Sequence, residues 1–228
     1  MGDGRGNWFD EALAAGAGLI PIAGPFLEGP ASRLVGKVRE EQARLRSKAL
    51  RAAERVSGLS REALAERIEV RPELVPITVR VLHLAGMKGQ DEMLTLLGAA
   101  LGTAAANPDR ASEVELLLSG IASLRGEHIR VLKAMSRTPK WRKLPKELLD
   151  RSVRPSETVE ATAWNPEALA DEVLLANDVA WQCILGLEAA GFVRSQPMSG
   201  FAVSDPSSGY TVSKTGQVVL DVLHEHDT

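Results

Sequence analysis

A chain of 228 residues fits one large domain or two small ones, at roughly 100–200 residues per domain. Its 44% apolar and 25% charged residues are those of an ordinary globular protein, and with only 4% aromatics the core falls to Leu, Val, Ile and Ala, which favours packed helices over a β-sandwich. The formal charge of −3 excludes no partner by itself, whereas the lone Cys183 excludes an internal disulfide and a Cys-based zinc site.

Residues 1–30 read as an apolar, Gly-rich N-terminal arm, ending GAGLIPIAGPFLEGP. Asp3, Asp10 and Glu11 against Arg5 give the wrong sign for an export signal. The uncharged run Ala12–Leu27 is broken by Pro21 and Pro25 and is shorter than the ~20 residues that span a bilayer, so a cytoplasmic location is expected. The arm either lies on the core or touches membrane through residues 12–27, where Leu19, Ile20, Ile22, Phe26 and Leu27 are apolar. Gly16-Ala17-Gly18 fails as a dinucleotide loop: no strand precedes it and Pro21 takes the third glycine position.

From Ala31 to Val56 the pattern is a long helix. Val35, Val38, Gln42, Leu45, Ala49, Ala52 and Val56 follow coiled-coil steps, a thin seam suited to one neighbouring helix. The other faces carry Arg33, Lys37, Arg39, Arg44, Arg46, Lys48, Arg51 and Arg55 against Glu40, Glu41 and Glu54. Such a face is either simply solvated or meets an anionic partner, with Arg44, Lys48 and Arg51 as candidate contacts. Ser57-Gly58 ends this helix, Ser60 caps a short one (REALAERIEV), and Arg71-Pro72 breaks it.

Leu74–Asp109 holds two apolar helical patterns separated by Gly86 and Gly89, with Pro76 in the first turn or so. Met93, Leu94, Leu97, Ala100, Leu101 and Ala104 share one face. Gly98, Ala99, Gly102 and Ala105 lie between them, so a second helix can approach closely, and Asn107-Pro108-Asp109 is the stop. Asp91-Glu92 suits the positive end of the helix dipole, with Gln90 or Asp91 as cap. Ser112 is expected to cap EVELLLSGIASL, completing a helical bundle over residues 31–124.

Beyond Arg125-Gly126, EHIRVLKAMS turns Ile129, Leu132 and Met135 inward. Residues 137–165 read as a Pro-rich basic insertion with one helical turn at Pro145–Asp150. Asn165-Pro166 opens the next helix, to Ala176; Asn177 or Asp178 caps another that buries Val179, Ile184, Leu185 and Leu187. Cys183, within that run, is expected to be a buried, inert thiol. GFVRSQ and YTVS are short strands around a loop, and KTGQVVLDVLHEH is the last helix. This order is that of a winged helix, with helices Glu127–Ser136, Pro166–Ala176 and Asp178–Ala190 and the wing between Gln196 and Tyr210. The expected fold is therefore mainly α: an N-terminal helical bundle followed by a C-terminal winged-helix-like domain, residues 125–228, with a small β-hairpin.

Charge argues against that domain reading DNA. From Ser156 to Thr228 there are two basic residues, Arg194 and Lys214, against eleven acidic ones, and the recognition helix has no Lys or Arg. Positive charge collects instead in the insertion, nine basic residues against two acidic between Arg130 and Arg154. There Lys140, Trp141, Arg142 and Lys143 are candidate contacts for an anionic partner, Trp141 as a stacking platform. The insertion either packs on the acidic domain or meets such a partner, and charge separation of this size also suits a head-to-tail homo-oligomer.

No metal, cofactor or catalytic site is expected. The four histidines do not converge: His83 lies in an apolar helix as a core residue, His128 at a helix start on the surface, and His224 and His226 point apart. Adjacent carboxylates (Glu40-Glu41, Asp91-Glu92, Asp171-Glu172) diverge on a helix, and the Gly-x-Ser-x-Gly, P-loop and His-Glu-x-x-His motifs are all lacking.

The segments VLHLAGMKGQDEMLTLLGAALGTAAANPD and LEAAGFV…GYTVSKTGQVVL, after an apolar arm and a basic long helix, resemble the Abi-alpha family, bacterial proteins named for abortive infection against phage. The likeness runs over nearly the whole chain after about residue 20, with Asp91-Glu92 and Asn107-Pro108-Asp109 its most specific pieces. The family's aromatic early in that helix is missing from Met93–Leu97. The resemblance implies a part in phage defence and supplies no catalytic residues. A non-enzymatic protein-interaction or regulatory role is the reading adopted. The alternatives are a nucleic-acid-binding winged-helix regulator and a membrane-perturbing effector acting through the arm.

Overall fold

The computed structural model describes residues 30–137, 163–196 and 209–227. The apolar arm, the turn at Pro145–Asp150 and most of the basic insertion lie outside them. The described chain is mainly helical with one small two-stranded antiparallel sheet. It divides into two compact units, one running to Ala122 and also taking the end of the last helix from Glu225, the other Ser123–His224.

The first unit is built from α1 (Pro30–Ser57), α2 (Arg61–Val70), α3 (Leu74–Met87), α4 (Asp91–Ala106) and α5 (Ala111–Ser123), with a 3₁₀ turn at Pro108–Arg110. At its centre is α4, buried nearly all round from Met93 to Ala105. A helix with so little polar surface must be enclosed, and α1 and α3 pack on it. The approach of α1 is close because both helices present small residues. A Cβ at Gly98 would lie 2.1 Å from the Ala49 carbonyl oxygen, and one at Gly102 2.6 Å from that of Ala53.

This contact differs from the thin seam expected of α1. Leu45, Arg46, Ala49, Leu50, Ala52 and Ala53 are buried, while Val38 and Val56 are exposed. A wider stripe results because short side chains let two backbones meet over a broad area. The Ser60 hydroxyl caps α2 by accepting from the Ala63 N–H, 3.3 Å. Asn107 ends α4 as read. Two expected caps do not form: Gln90 precedes α4 without a side-chain cap bond, and α5 begins at Ala111, which puts Ser112 inside the helix.

The second unit comprises α6 (Gly126–Met135), α7 (Pro166–Val173), α8 (Asn177–Ala189), β1 (Val193–Gln196), β2 (Gly209–Val212) and α9 (Lys214–Asp227). Ile129, Leu132 and Met135 of α6 are buried as expected. The Asn165 side chain caps α7, accepting from Ala168 N–H at 2.7 Å. That helix stops at Val173, three residues early, where Leu174 turns left-handed (φ 54°). Ala176 rather than Asn177 or Asp178 stands at the start of α8. Ile184, Leu187 and Cys183 of α8 are buried, but Val179 and Leu185 are exposed.

Gly191 (φ 78°) ends α8 and turns the chain into β1. The strands pair Val193 with Val212 and Gln196 with Gly209. Trp164 joins the far edge of β2 through a reciprocal bridge with Tyr210, 2.9 and 2.8 Å, and its indole N–H donates to the Met135 carbonyl at 3.2 Å. Trp164, read as the end of the insertion, is thus a core residue, 1% exposed.

Candidate anion-binding face on the long helix

Arg44, Lys48, Arg51 and Arg55 are spaced four, three and four along α1, so they share one side of the helix. The first three are in different states. Arg44 is satisfied within its own helix: Nε donates to Glu41 Oε2 at 2.8 Å and Nη2 to Oε1 at 2.5 Å. That hydrogen bond holds the Glu41 carboxyl below its usual range and raises the arginine in turn. Lys48 reaches across to α4, its Nζ 2.7 Å from Asp91 Oδ1. Arg51 makes no ion pair or hydrogen bond among the described residues.

Between these side chains and the start of α4 lies a cavity of about 310 Å³, lined by Lys48, Arg51, Arg55, Asp91, Leu94 and Thr95. Leu94 and Thr95 are buried, and the Thr95 hydroxyl donates to the Asp91 carbonyl at 3.0 Å. The arrangement is three cations on one wall, one carboxylate opposite and a mostly apolar floor. Of the candidate contacts named from sequence, Lys48 and Arg51 meet here, Arg44 stands one turn away beside Glu41, and Lys140, Trp141, Arg142 and Lys143 lie outside the described residues. Arg55 was not singled out from sequence. Its signal is the seven-residue step from Lys48, the repeat that also relates Arg44 to Arg51.

Arg46 corrects the picture of α1 as a uniformly solvated basic face. It is 4% exposed, and its Nε donates to the Leu82 carbonyl at 3.1 Å. Burial lowers the pKa of its guanidinium. Gly86 makes the room: a Cβ there would sit 3.2 Å from Arg46 Nε and Nη2. Two histidines also differ from expectation. His83 is exposed rather than core, and His128 is half-buried, its Nδ1 accepting from the Arg125 N–H at 3.2 Å to cap α6. No group of three or more metal-ligating side chains converges among the described residues.

The second unit offers no matching basic surface on its central helix, since α8 has no Lys or Arg. Two of its described cations are engaged at α7: Arg130 donates to the Val173 carbonyl at 2.6 Å, and Arg137 pairs with Glu172 at 2.7 Å. A guanidinium on the last carbonyls of α7 favours the negative end of that helix. No helix among the described residues is long and apolar enough to cross a membrane. Comparisons with protein-family models, curated proteins and solved structures found no match to the chain.

Proposed function

We propose that this protein works without catalysis, by contacting another protein, in the cytoplasm and in the phage-defence setting that its resemblance to the Abi-alpha family implies. The observation that carries this reading is an outward ridge on α3. Val75, Val79, His83 and Met87 follow one another at steps of four, and the three apolar members are 45%, 62% and 68% exposed. A line of apolar side chains facing water on a helix whose other side is core marks a contact surface. The succession α6, α7, α8, β1, β2, α9 supports a winged-helix reading of the second unit. An α8 without Lys or Arg fits protein contact better than a DNA groove.

The test is protection of a bacterial host from phage by the wild-type gene and by the Val75→Glu, Val79→Glu double variant. Protection that the variant loses, while circular dichroism and melting stay unchanged, is the expected result. A wild-type gene that confers none removes the phage setting, and a folded variant that protects fully removes the α3 ridge. The competing reading, a nucleic-acid-binding regulator, is favoured by the Lys48–Arg51–Arg55 stripe. Duplex DNA binding at ~0.15 M salt that falls steeply with added salt would establish it instead.

A further inference from the structure

We infer that the cavity between α1 and the start of α4 is a binding site for a small organic phosphate. This does not rest on the protein-contact reading. At about 310 Å³ the cavity stands at the lower end of small-molecule sites, room that the Lys48–Asp91 pair alone does not require. Its wall carries Lys48, Arg51 and Arg55 against Asp91. An ammonium has three donors and a guanidinium five; Lys48 gives one to Asp91, while Arg51 gives none to the described residues.

A second feature points the same way. Gln90 at the N-terminus of α4 makes no side-chain cap bond, and the first turn of that helix borders the cavity at Asp91 and Leu94. The backbone N–H groups of a helix's first turn and the helix dipole both favour an anion. The floor has a different character. Leu94 is apolar, and the Thr95 hydroxyl is already spent on a backbone carbonyl. The polar groups therefore suit a phosphate and the floor suits a compact apolar or planar body attached to it. Asp91 is the competitor for Lys48, and its side chain is 67% exposed, which weakens that ion pair through solvent screening.

Calorimetric titration of the full chain with phenyl phosphate, and separately with inorganic phosphate, tests this at low salt. Phenyl phosphate is expected to give a saturable one-to-one isotherm and to bind more tightly than inorganic phosphate. Loss of one charge-assisted hydrogen bond in Arg51→Gln should weaken binding about tenfold or more. Asp91→Asn, which removes the competing carboxylate, should tighten it. Both positions are solvent-exposed, and circular dichroism verifies the folds. Absence of saturable heat, or an Arg51→Gln isotherm equal to wild type, would overturn the site. Equal affinity for the two probes would overturn the organic body. Duplex DNA that binds through Arg51 while phenyl phosphate does not would make this face a nucleic-acid contact instead.

Discussion

A methyl group on Gly98 would stand 2.1 Å from the carbonyl oxygen of Ala49, so α1 and α4 meet backbone to backbone. Gly102 repeats the relationship with Ala53 one turn on. In an exposed helix, replacing glycine by alanine gains about 1 kcal/mol. Here the gain is overridden, because the obstacle is main chain and cannot rotate away. Gly98→Ala is expected to destabilise the first unit by about 1–3 kcal/mol. Urea unfolding would show it as a lowered midpoint at unchanged slope. A midpoint at or above wild type would mean that the two helices do not touch there.

Arg46 and Gly86 form the second such fit, with a charge inside it. Desolvation opposes a buried guanidinium, and a hydrogen bond such as that to the Leu82 carbonyl only partly offsets that cost. Much of what Arg46 contributes is then the packing of its stem. Arg46→Met, which keeps the volume, should leave stability within about 1 kcal/mol of wild type, while Arg46→Ala should lose about 2–4 kcal/mol through the cavity it leaves. Chemical denaturation of both variants decides the matter. Equal losses would show that the hydrogen bond, not the packing, is what counts.

These two contacts mark the limit of what could be read from sequence. Helix limits set by local chemistry were legible: Ser60 before α2, Asn107-Pro108 after α4 and Asn165-Pro166 before α7 satisfy or remove backbone donors on the spot. The close approach at Gly98 and Gly102 was legible too, since small residues at that spacing have few other uses. What was missed depends on partners far along the chain. Whether Arg46 points to water or to core is decided by the space at Gly86. Trp164 is core because Tyr210 bridges it, and Lys48 meets Asp91 across 43 residues. The candidate cavity was half legible for the same reason. The cationic repeat on α1 is visible in sequence, but the helix that closes the other wall is not.

Leu174 holds a conformation that leucine disfavours, φ 54° and ψ 49°, with 87% of its surface exposed. The left-handed region costs a non-glycine residue roughly 1–2 kcal/mol. Its side chain buries almost nothing in return, and the turn is held by the Leu175 N–H donating to the Ala170 carbonyl at 3.0 Å. Leu174→Gly should therefore stabilise the second unit by about 0.5–1 kcal/mol, after the greater freedom of glycine in the unfolded chain is counted. Thermal melting is the measurement. A lowered melting temperature would show that the leucine side chain makes a contact worth more than the strain.

Cys183 gives a prediction in pH. The thiol is 3% exposed on the inner side of α8, and its pKa is raised first by burial and then by the nearby charge of Glu127. A raised acid pKa means that folding disfavours the thiolate. The contribution to stability is thus fully present below the unfolded value near 9.0 and is lost as pH rises toward the folded one. Wild type should lose more stability than Cys183→Ala on going from neutral pH to above that value. At about pH 8 the native thiol should react with a disulfide reagent far more slowly than in denaturant, since the thiolate is the reacting species. Equal rates in the two states would mean that α8 opens readily from the rest of its unit, and the buried Ile184 and Leu187 beside it would then have to be exposed together with Cys183.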